Sequence, residues 1–150
     1  MSQGDFTWFD QAKLNLGLKV FNLETDVVKL ALVTNSVTPT ASTADPCWGA
    51  GGSTNLSSYE VTPGGNYSAG GSTVASNVFT LASGTATFDG NDVAIAQHAS
   101  NPTNARWGIL YSDTATNKNA LGFLDLGGVT DLTAGGFSAT PNASGIMTLT

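Results

Sequence analysis

Few residues of this chain are of the types that carry out acid–base, nucleophilic or metal-dependent chemistry. His98 is the only histidine and Cys47 the only cysteine among 150 residues, so the composition excludes a multi-histidine metal site and a thiolate-rich zinc site. A Ser-His-Asp triad through His98 is compatible with the composition. However, the chain has no G-x-S-x-G motif, and His98 lies in the polar segment 97–102. We therefore expect a protein that is not an enzyme and that holds no metal or cofactor.

Two other short patterns resemble ligand sites only superficially. The run Asp89-Gly90-Asn91-Asp92 groups acidic and amide side chains as a calcium loop does, but it lacks the D-x-[DN]-x-[DN]-G spacing and the distal glutamate. A hairpin turn is the favoured interpretation of this run. The pairs Gly70-Gly71 and Gly135-Gly136 are not followed by Lys-Ser or Lys-Thr, so a phosphate-binding loop is not predicted.

Cys47 has two possible roles. It could be a reactive thiol, or simply a small residue in a loop between Pro46 and Trp48, and the second role is favoured. Because it is the lone cysteine, the chain cannot form an intrachain disulfide. The stability of the fold must therefore come from packing.

The charge of the chain argues against nucleic-acid and membrane partners. Eleven acidic and five basic residues give a net charge of −6, which leaves too few cations for a phosphate-binding stripe. The longest apolar stretch, residues 27–33, contains Lys29 and is far shorter than the ~20 residues that span a bilayer. The first ten residues lack the basic and apolar regions of a signal peptide.

The elements that position these residues begin with a helix and a strand. An amphipathic helix is predicted over about residues 5–18, with Asp5 as its N-cap and with Phe6, Phe9, Ala12 and Leu16 on one face. It is followed at about 26–34 by a run of Val, Leu and Ala, which predicts a strand buried on most of its surface.

A long connection and a series of strands follow. Residues of about 35–73 are rich in Thr, Ser, Gly, Ala and Pro and predict a long loop, and loops of this length are usually functional or disordered. From about 74 to 150 the pattern predicts a β-meander. Its candidate strands are Val74–Leu81, Thr85–Phe88, Val93–Ala96, Ala105–Ser112, Asn119–Leu126, Thr133–Ala139 and Gly145–Leu149.

The clearest hairpin of the meander joins residues 106–111 to residues 119–126. Both segments carry apolar side chains at consecutive positions, which is typical of strands central to a sheet that is covered on both faces. The fold class predicted from these elements is mainly β. We expect a single β-sandwich or barrel-like domain of residues 1–150 with one amino-terminal helix and a long Gly/Ser/Thr-rich loop.

The composition also bears on how the protein meets other molecules. Only 11% of the residues are charged, against about 25% in typical soluble domains. The polar surface must therefore consist mainly of Ser, Thr, Asn and Gly. Such a surface suits a protein that packs against many neighbours, because little charge has to be desolvated at each contact.

Several motifs, taken in order, resemble a family of small tailed-bacteriophage virion proteins. The first is F-D-x-A-K-x-x-L…L-x-T-D-x-x-K-x-A-L-V-T over residues 9–34. The later motifs are Asn66-Tyr-Ser-Ala-Gly-Gly71, Thr87-Phe-Asp-Gly-Asn-Asp-Val93, Arg106-Trp-Gly-Ile-Leu-Tyr111, Leu121-Gly-Phe-Leu-Asp-Leu-Gly127 and Gly145-Ile-Met-Thr-Leu149. None of them is chemically specific, and their order carries the resemblance.

The resemblance implies a structural protein of the virion. We expect a capsid decoration (cement) protein on the capsid surface that binds the major capsid protein across neighbouring subunits. A decoration protein sits on capsid symmetry axes, so self-association is also expected, with a homotrimer as the commonest solution. The alternative is a tail- or fibre-associated recognition module, or a carbohydrate-binding β module. The candidate partner contacts are Trp48, Tyr59 and Tyr67, although these aromatic residues could instead anchor the long loop to the domain.

Overall fold

The computed structural model describes residues 2–3, 5–140 and 144–150, and within them the fold is mainly β. One α-helix, α1, spans Asp10–Gly17, and a 3-10 helix spans Leu56–Tyr59. The strands are β1 Ser2–Gln3, β2 Phe6–Trp8, β3 Val28–Val33, β4 Pro46–Cys47, β5 Thr54–Asn55, β6 Ser72–Thr73, β7 Val78–Ala82, β8 Thr85–Asp89, β9 Val93–Ile95, β10 Ala105–Ser112, β11 Ala120–Thr130, β12 Phe137–Ala139 and β13 Met147–Leu149. The predicted mainly β class is confirmed.

The core is built on a five-stranded sheet with the order β2-β11-β10-β3-β6. Its central strands are the apolar runs of the sequence: β3 pairs with β10 over its whole length, from Val33 opposite Trp107 to Val28 opposite Ser112. Five of the six β3 residues and seven of the eight β10 residues are buried. Strands covered on both faces need apolar side chains in both directions, which explains their continuous hydrophobic pattern.

The predicted hairpin of 106–111 with 119–126 is confirmed. β10 and β11 are antiparallel, with Ile109 opposite Phe123 and Gly108 opposite Leu124. On this sheet, Phe123 packs against Phe9 with ring centroids 5.1 Å apart and meets the edge of Trp107 at 6.1 Å. Aromatic pairs at these distances add to the stability that burial provides.

The meander predicted for residues 74–150 differs from the observed topology. Among the described strands of this region, consecutive ones pair only as β7–β8 and β10–β11, whereas β13 pairs with β8 and β12 pairs with β9 and β1. The 89–92 run joins β8 to β9, which lie in different sheets, so it is not the hairpin turn that the sequence predicted. The turn of the β7–β8 hairpin is Ser83-Gly84, with φ of 50° and 82°, and two positive φ values match the twist of a two-residue hairpin.

The amino-terminal helix is shorter than predicted. Residues 6–8 form β2, which pairs with β11 from Trp8 opposite Gly122 to Phe6 opposite Leu124. The helix therefore begins after Phe9, whose side chain provides no capping hydrogen bond, and the predicted N-cap role of Asp5 is wrong. The spacing of Phe6 and Phe9 fits one face of a helix, but pairing with the edge of β11 stabilises residues 6–8 as a strand.

The segment 35–73 is folded against the core. Leu56, Val61 and Tyr67 are buried, and two backbone hydrogen bonds join the middle of the segment to β3 and the residue after it. Val61 donates to the Leu32 carbonyl, and Thr34 donates to the Tyr59 carbonyl. The short strands β4 and β5 pair in parallel within it. The sheets stack in a sandwich-like arrangement, and no sheet among the described residues closes into a barrel.

Candidate interaction surface

The structure places two of the three candidate contact aromatics in the core. The Trp48 ring stacks on Tyr111 with centroids 5.0 Å apart and an interplanar angle of 12°, and only 6% of Trp48 is exposed. Its backbone N–H donates to the Lys118 carbonyl, which fixes the segment to the β10–β11 hairpin. Trp48 therefore holds the long segment against the central sheet.

Tyr67 is the centre of a buried hydrogen-bond network. Its hydroxyl accepts from the Leu32 backbone N–H at 3.0 Å and donates to Glu60 Oε1 at 2.9 Å. The same carboxylate oxygen accepts from the Gly70 N–H at 2.6 Å, while the Tyr111 hydroxyl donates to the Gly70 carbonyl at 2.8 Å. Burial, and then the nearby Glu60 charge, raise the pKa of Tyr67 well above its usual range, so the hydroxyl stays protonated.

These contacts match the alternative role of the aromatic residues, which is to anchor the loop. Tyr59, the third candidate, is half-buried and packs against the core at the end of the 3-10 helix. A carbohydrate-stacking platform needs exposed aromatic faces, and Trp48 and Tyr67 do not present them. The carbohydrate-binding alternative therefore gains no support from these residues.

The residues best suited to chemistry, His98 and Cys47, lie in different surroundings, one exposed and the other buried. Within the described residues, no group of three or more His, Cys, Asp and Glu side chains is placed to hold a metal ion. His98 is exposed, and its Nδ1 accepts from the Ser100 N–H at 3.0 Å. Cys47 is fully buried, and this burial, together with the Asp45 charge, raises the pKa of its thiol to about 11, so the nucleophilic thiolate is disfavoured at neutral pH. In the described part of the chain, no helix is long and apolar enough to cross a membrane.

The sheet β13-β8-β7 presents the most distinctive surface. β7, the sequence Val-Phe-Thr-Leu-Ala, ends this sheet and pairs only with β8 among the described strands. Val78 is 45% exposed and Leu81 is 74% exposed, and the strand has no charged residue or proline. Proteins usually protect edge strands with such residues, because alternate N–H and C=O groups at a free edge can pair with another chain.

The two faces of this sheet differ in chemistry. The inner face carries one apolar residue from each strand, directly opposite one another: Phe79, Phe88 and Met147. Phe88 and Met147 are buried. The next row, Leu81-Ala86-Leu149, continues this apolar face beyond the core, where Leu81 is exposed. The outer face carries a row of hydroxyl groups from Thr80, Thr87 and Thr148, which also lie directly opposite one another.

A groove runs beside β7 on the side of Phe79. Its volume is about 550 Å³, and the segment that follows α1 forms its other wall. Asn77 Nδ2 donates to the Leu23 carbonyl, which holds that wall against the start of β7. The lining residues are apolar except for one cation, one amide and one carboxylate: Leu16, Lys19, Val20, Phe21, Asn22, Leu23, Asp26 and Phe79. We call β7 and this groove the β7 surface.

Lys19 gives the β7 surface its electrostatic character. Asp26 is nearly buried, and its carboxylate accepts from the Ser112 hydroxyl at 2.7 Å and the Asn22 N–H at 3.1 Å, so it faces partners within the chain. Lys19 is exposed and forms no ion pair with a described residue. The other four cations all do: Lys13 with Asp10, Lys29 and Lys118 with Asp113, and Arg106 with Asp125.

The β7 surface is not among the sites that the sequence predicts. The sequence pattern predicts a strand at 74–81, but nothing in a local pattern shows which strand ends a sheet. The available signal was the absence of charge between Val74 and Thr87 in a run of strand-forming residues, since such a run lacks the usual protection of an edge. Comparison of the chain with protein-family models, curated proteins and solved structures gave no match.

Proposed function

We propose that this protein is a structural component of a tailed-bacteriophage virion, namely a capsid decoration protein that binds across neighbouring major-capsid subunits and stabilises the head. The observation that carries the proposal is the β7 surface, an edge strand with exposed apolar side chains beside an apolar groove. The order of sequence motifs that resembles small phage virion proteins supports the same function.

The chemistry of the surface suits assembly rather than catalysis. Leu81 and Val78 are available for apolar burial, and the Thr80-Thr87-Thr148 row can make hydrogen bonds without the cost of desolvating a charge. Interfaces of this kind depend on apolar packing and hydrogen bonds, and we expect them to be only weakly sensitive to salt.

Self-association belongs to the same proposal. A decoration protein on a lattice gains from several modest interfaces that act together, and a symmetric oligomer such as a homotrimer supplies them. The protein is accordingly expected to bind assembled shells far more tightly than isolated capsid protein.

Sedimentation with shells tests this function. The purified protein is mixed with undecorated expanded shells of the same virus, at low salt and at about 0.5 M salt, where the Debye length falls to about 4 Å. Co-sedimentation at both salt concentrations, with greater resistance of the shells to heat, is expected. Binding to tails or host glycans with no binding to heads would contradict the proposal and favour a tail-associated recognition module.

A further inference from the structure

The free edge of β7 has the geometry of a site that accepts one more strand. Among the described residues β7 pairs only with β8, so alternate N–H and C=O groups of Val78–Ala82 point away from the sheet. A strand that pairs with them makes backbone hydrogen bonds whatever its sequence, while its side chains determine specificity.

The groove determines which side chains fit such a strand. Phe79 lines the groove, so the side chains of an added strand that point to the Phe79 side enter it. There they meet Val20, which is 38% exposed and offers apolar area, above Phe21 and Leu23, which are buried. Further along the same face, Leu81 is 74% exposed and offers apolar area to the next inward side chain.

The charge in the groove completes the description of the partner. Lys19 lines the same groove and is the one cation of the chain without an ion pair to a described residue. A carboxylate on the incoming segment complements it, whereas a second cation would be repelled.

We propose that the β7 surface binds an extended apolar segment of a major-capsid subunit, which adds to β7 as a fourth strand and places a carboxylate against Lys19. This inference rests on the proposed function and names the part of the protein that performs it. Trp48, Tyr59 and Tyr67 have no role in this contact.

Substitutions on and away from the surface test the site. With undecorated shells, Leu81→Lys is expected to weaken binding at least about tenfold, because it would bury an unpaired ammonium group against an apolar segment. Val129→Lys is the matched control, since Val129 is also apolar and 56% exposed but lies on β11 in the five-stranded sheet. Circular dichroism checks that both variants retain the fold.

A second pair of variants tests the charge. Lys19→Met keeps the aliphatic chain but removes the ammonium group, and we expect binding about three- to tenfold weaker at low salt, with the difference lost at about 0.5 M salt. Lys13→Met is its control, because Lys13 lies on α1, shortly before Lys19, and already pairs with Asp10. Hydrogen exchange of the 78–82 amides should slow in the shell-bound protein.

The outcomes separate the two proposals. If the unmodified protein binds shells and Leu81→Lys binds equally well, the docking site is wrong and the proposed function stands. If the unmodified protein does not bind shells, the proposed function falls, and this docking partner falls with it. If Leu81→Lys abolishes self-association but leaves shell binding intact, the β7 surface binds a second copy of the chain, which overturns the inference.

Discussion

At the scale of single residues, the Tyr67 hydroxyl connects three segments of the chain. It accepts from the Leu32 N–H of β3 and donates to Glu60, which in turn accepts from Gly70. Leaving a buried N–H group without an acceptor destabilises the fold by more than the net contribution of the lost hydrogen bond. The reason is that the group has given up its hydrogen bonds to water and gained none in return. The importance of Tyr67 therefore lies in its oxygen atom as much as in its ring.

Replacement of Tyr67 by Phe is expected to lower the free energy of unfolding by about 1–3 kcal/mol, since the ring remains but the Leu32 N–H and Glu60 lose their partner. Urea denaturation measures the change. Tyr59→Phe serves as the control, because the Tyr59 hydroxyl makes no hydrogen bond to a described residue, and this variant should differ by less than about 0.5 kcal/mol. Equal losses in the two variants would show that the network contributes nothing.

The end of α1 contains a strained residue. Lys19 has φ of 57°, its N–H bonds to the Leu16 carbonyl, and Val20 bonds to that of Asn15, so the chain turns in the left-handed conformation that glycine usually occupies after a helix. Lys19→Gly is therefore expected to raise the free energy of unfolding by about 0.5–1 kcal/mol. Thermal or urea unfolding measures it. Lys19→Ala retains the strain and should give no such gain.

At the scale of elements, two lysines from different parts of the sheet meet one carboxylate. Asp113 lies just after β10 and pairs with Lys29 of β3 at 2.9 Å and with Lys118 of the following turn at 2.7 Å. Hydrogen bonds from Lys118 and then from Lys29 hold the pKa of Asp113 below its usual range. The pairing thus adds a pH-dependent contact between β3 and the β10–β11 hairpin.

The sign of this pH dependence follows from the lowered pKa. The contact stabilises the fold fully above the pKa of Asp113 in the unfolded chain, about 4, and is lost as pH falls through the lower folded value. Asp113→Asn should therefore lower the free energy of unfolding at pH 7 by about 0.5–1 kcal/mol, a small loss because Asp113 is partly exposed. The difference between the variant and the unmodified protein should disappear near pH 2. Urea denaturation at both pH values checks this, and a difference that widened in acid would contradict it.

β13 forms the other edge of the sheet that contains β7. Met147 stands opposite Phe88, Ile146 donates to the Phe88 carbonyl, and the Trp8 indole donates to the Thr148 carbonyl at 2.9 Å. Removal of residues 146–150 exposes Phe88 and frees these backbone groups, so we expect loss of soluble folded protein. Removal of Thr150 alone, which lies beyond β13, should leave the melting temperature unchanged. An unchanged melting temperature after the larger deletion would show that the strand contributes little.

How far the elements could be predicted depends on how local their causes are. β3, β10 and β11 were recognisable because their own residues are apolar on both faces. Residues 6–8 were assigned to the helix because Phe6 and Phe9 have the spacing of one helix face, although Phe6 and Trp8 also have the spacing of one strand face. The edge of β11 that decides between the two lies more than a hundred residues away. The pairing of β13 with β8, rather than with its sequence neighbour β12, is equally nonlocal.

The same limit applies to the candidate site. An aromatic residue in a polar loop gives the same sequence pattern whether its ring packs inward or outward, so Trp48 and Tyr67 were candidate contacts although both pack inward. The β7 surface, by contrast, exists only because β7 ends its sheet and the segment after α1 leaves a groove beside Phe79. Neither condition is visible before the strand order is known.

At the scale of the whole molecule, the long segment 35–73 is part of the same folded unit as the sheets. The Trp48 N–H bonds to Lys118 and the Val61 N–H bonds to Leu32, both in buried surroundings. Groups of this kind exchange with solvent only when the structure around them opens. The segment is therefore expected to unfold together with the central sheet rather than before it.

Native-state hydrogen exchange tests this cooperativity. The amides of Trp48 and Val61 are expected to exchange with free energies within about 1 kcal/mol of those of the β3 and β10 amides, because the opening of any of them requires global unfolding. The Thr43 amide, which bonds only to Thr40 within a turn, is the internal control and should exchange much faster. Exchange of Trp48 and Val61 as fast as that of Thr43 would mean that the segment opens independently of the core.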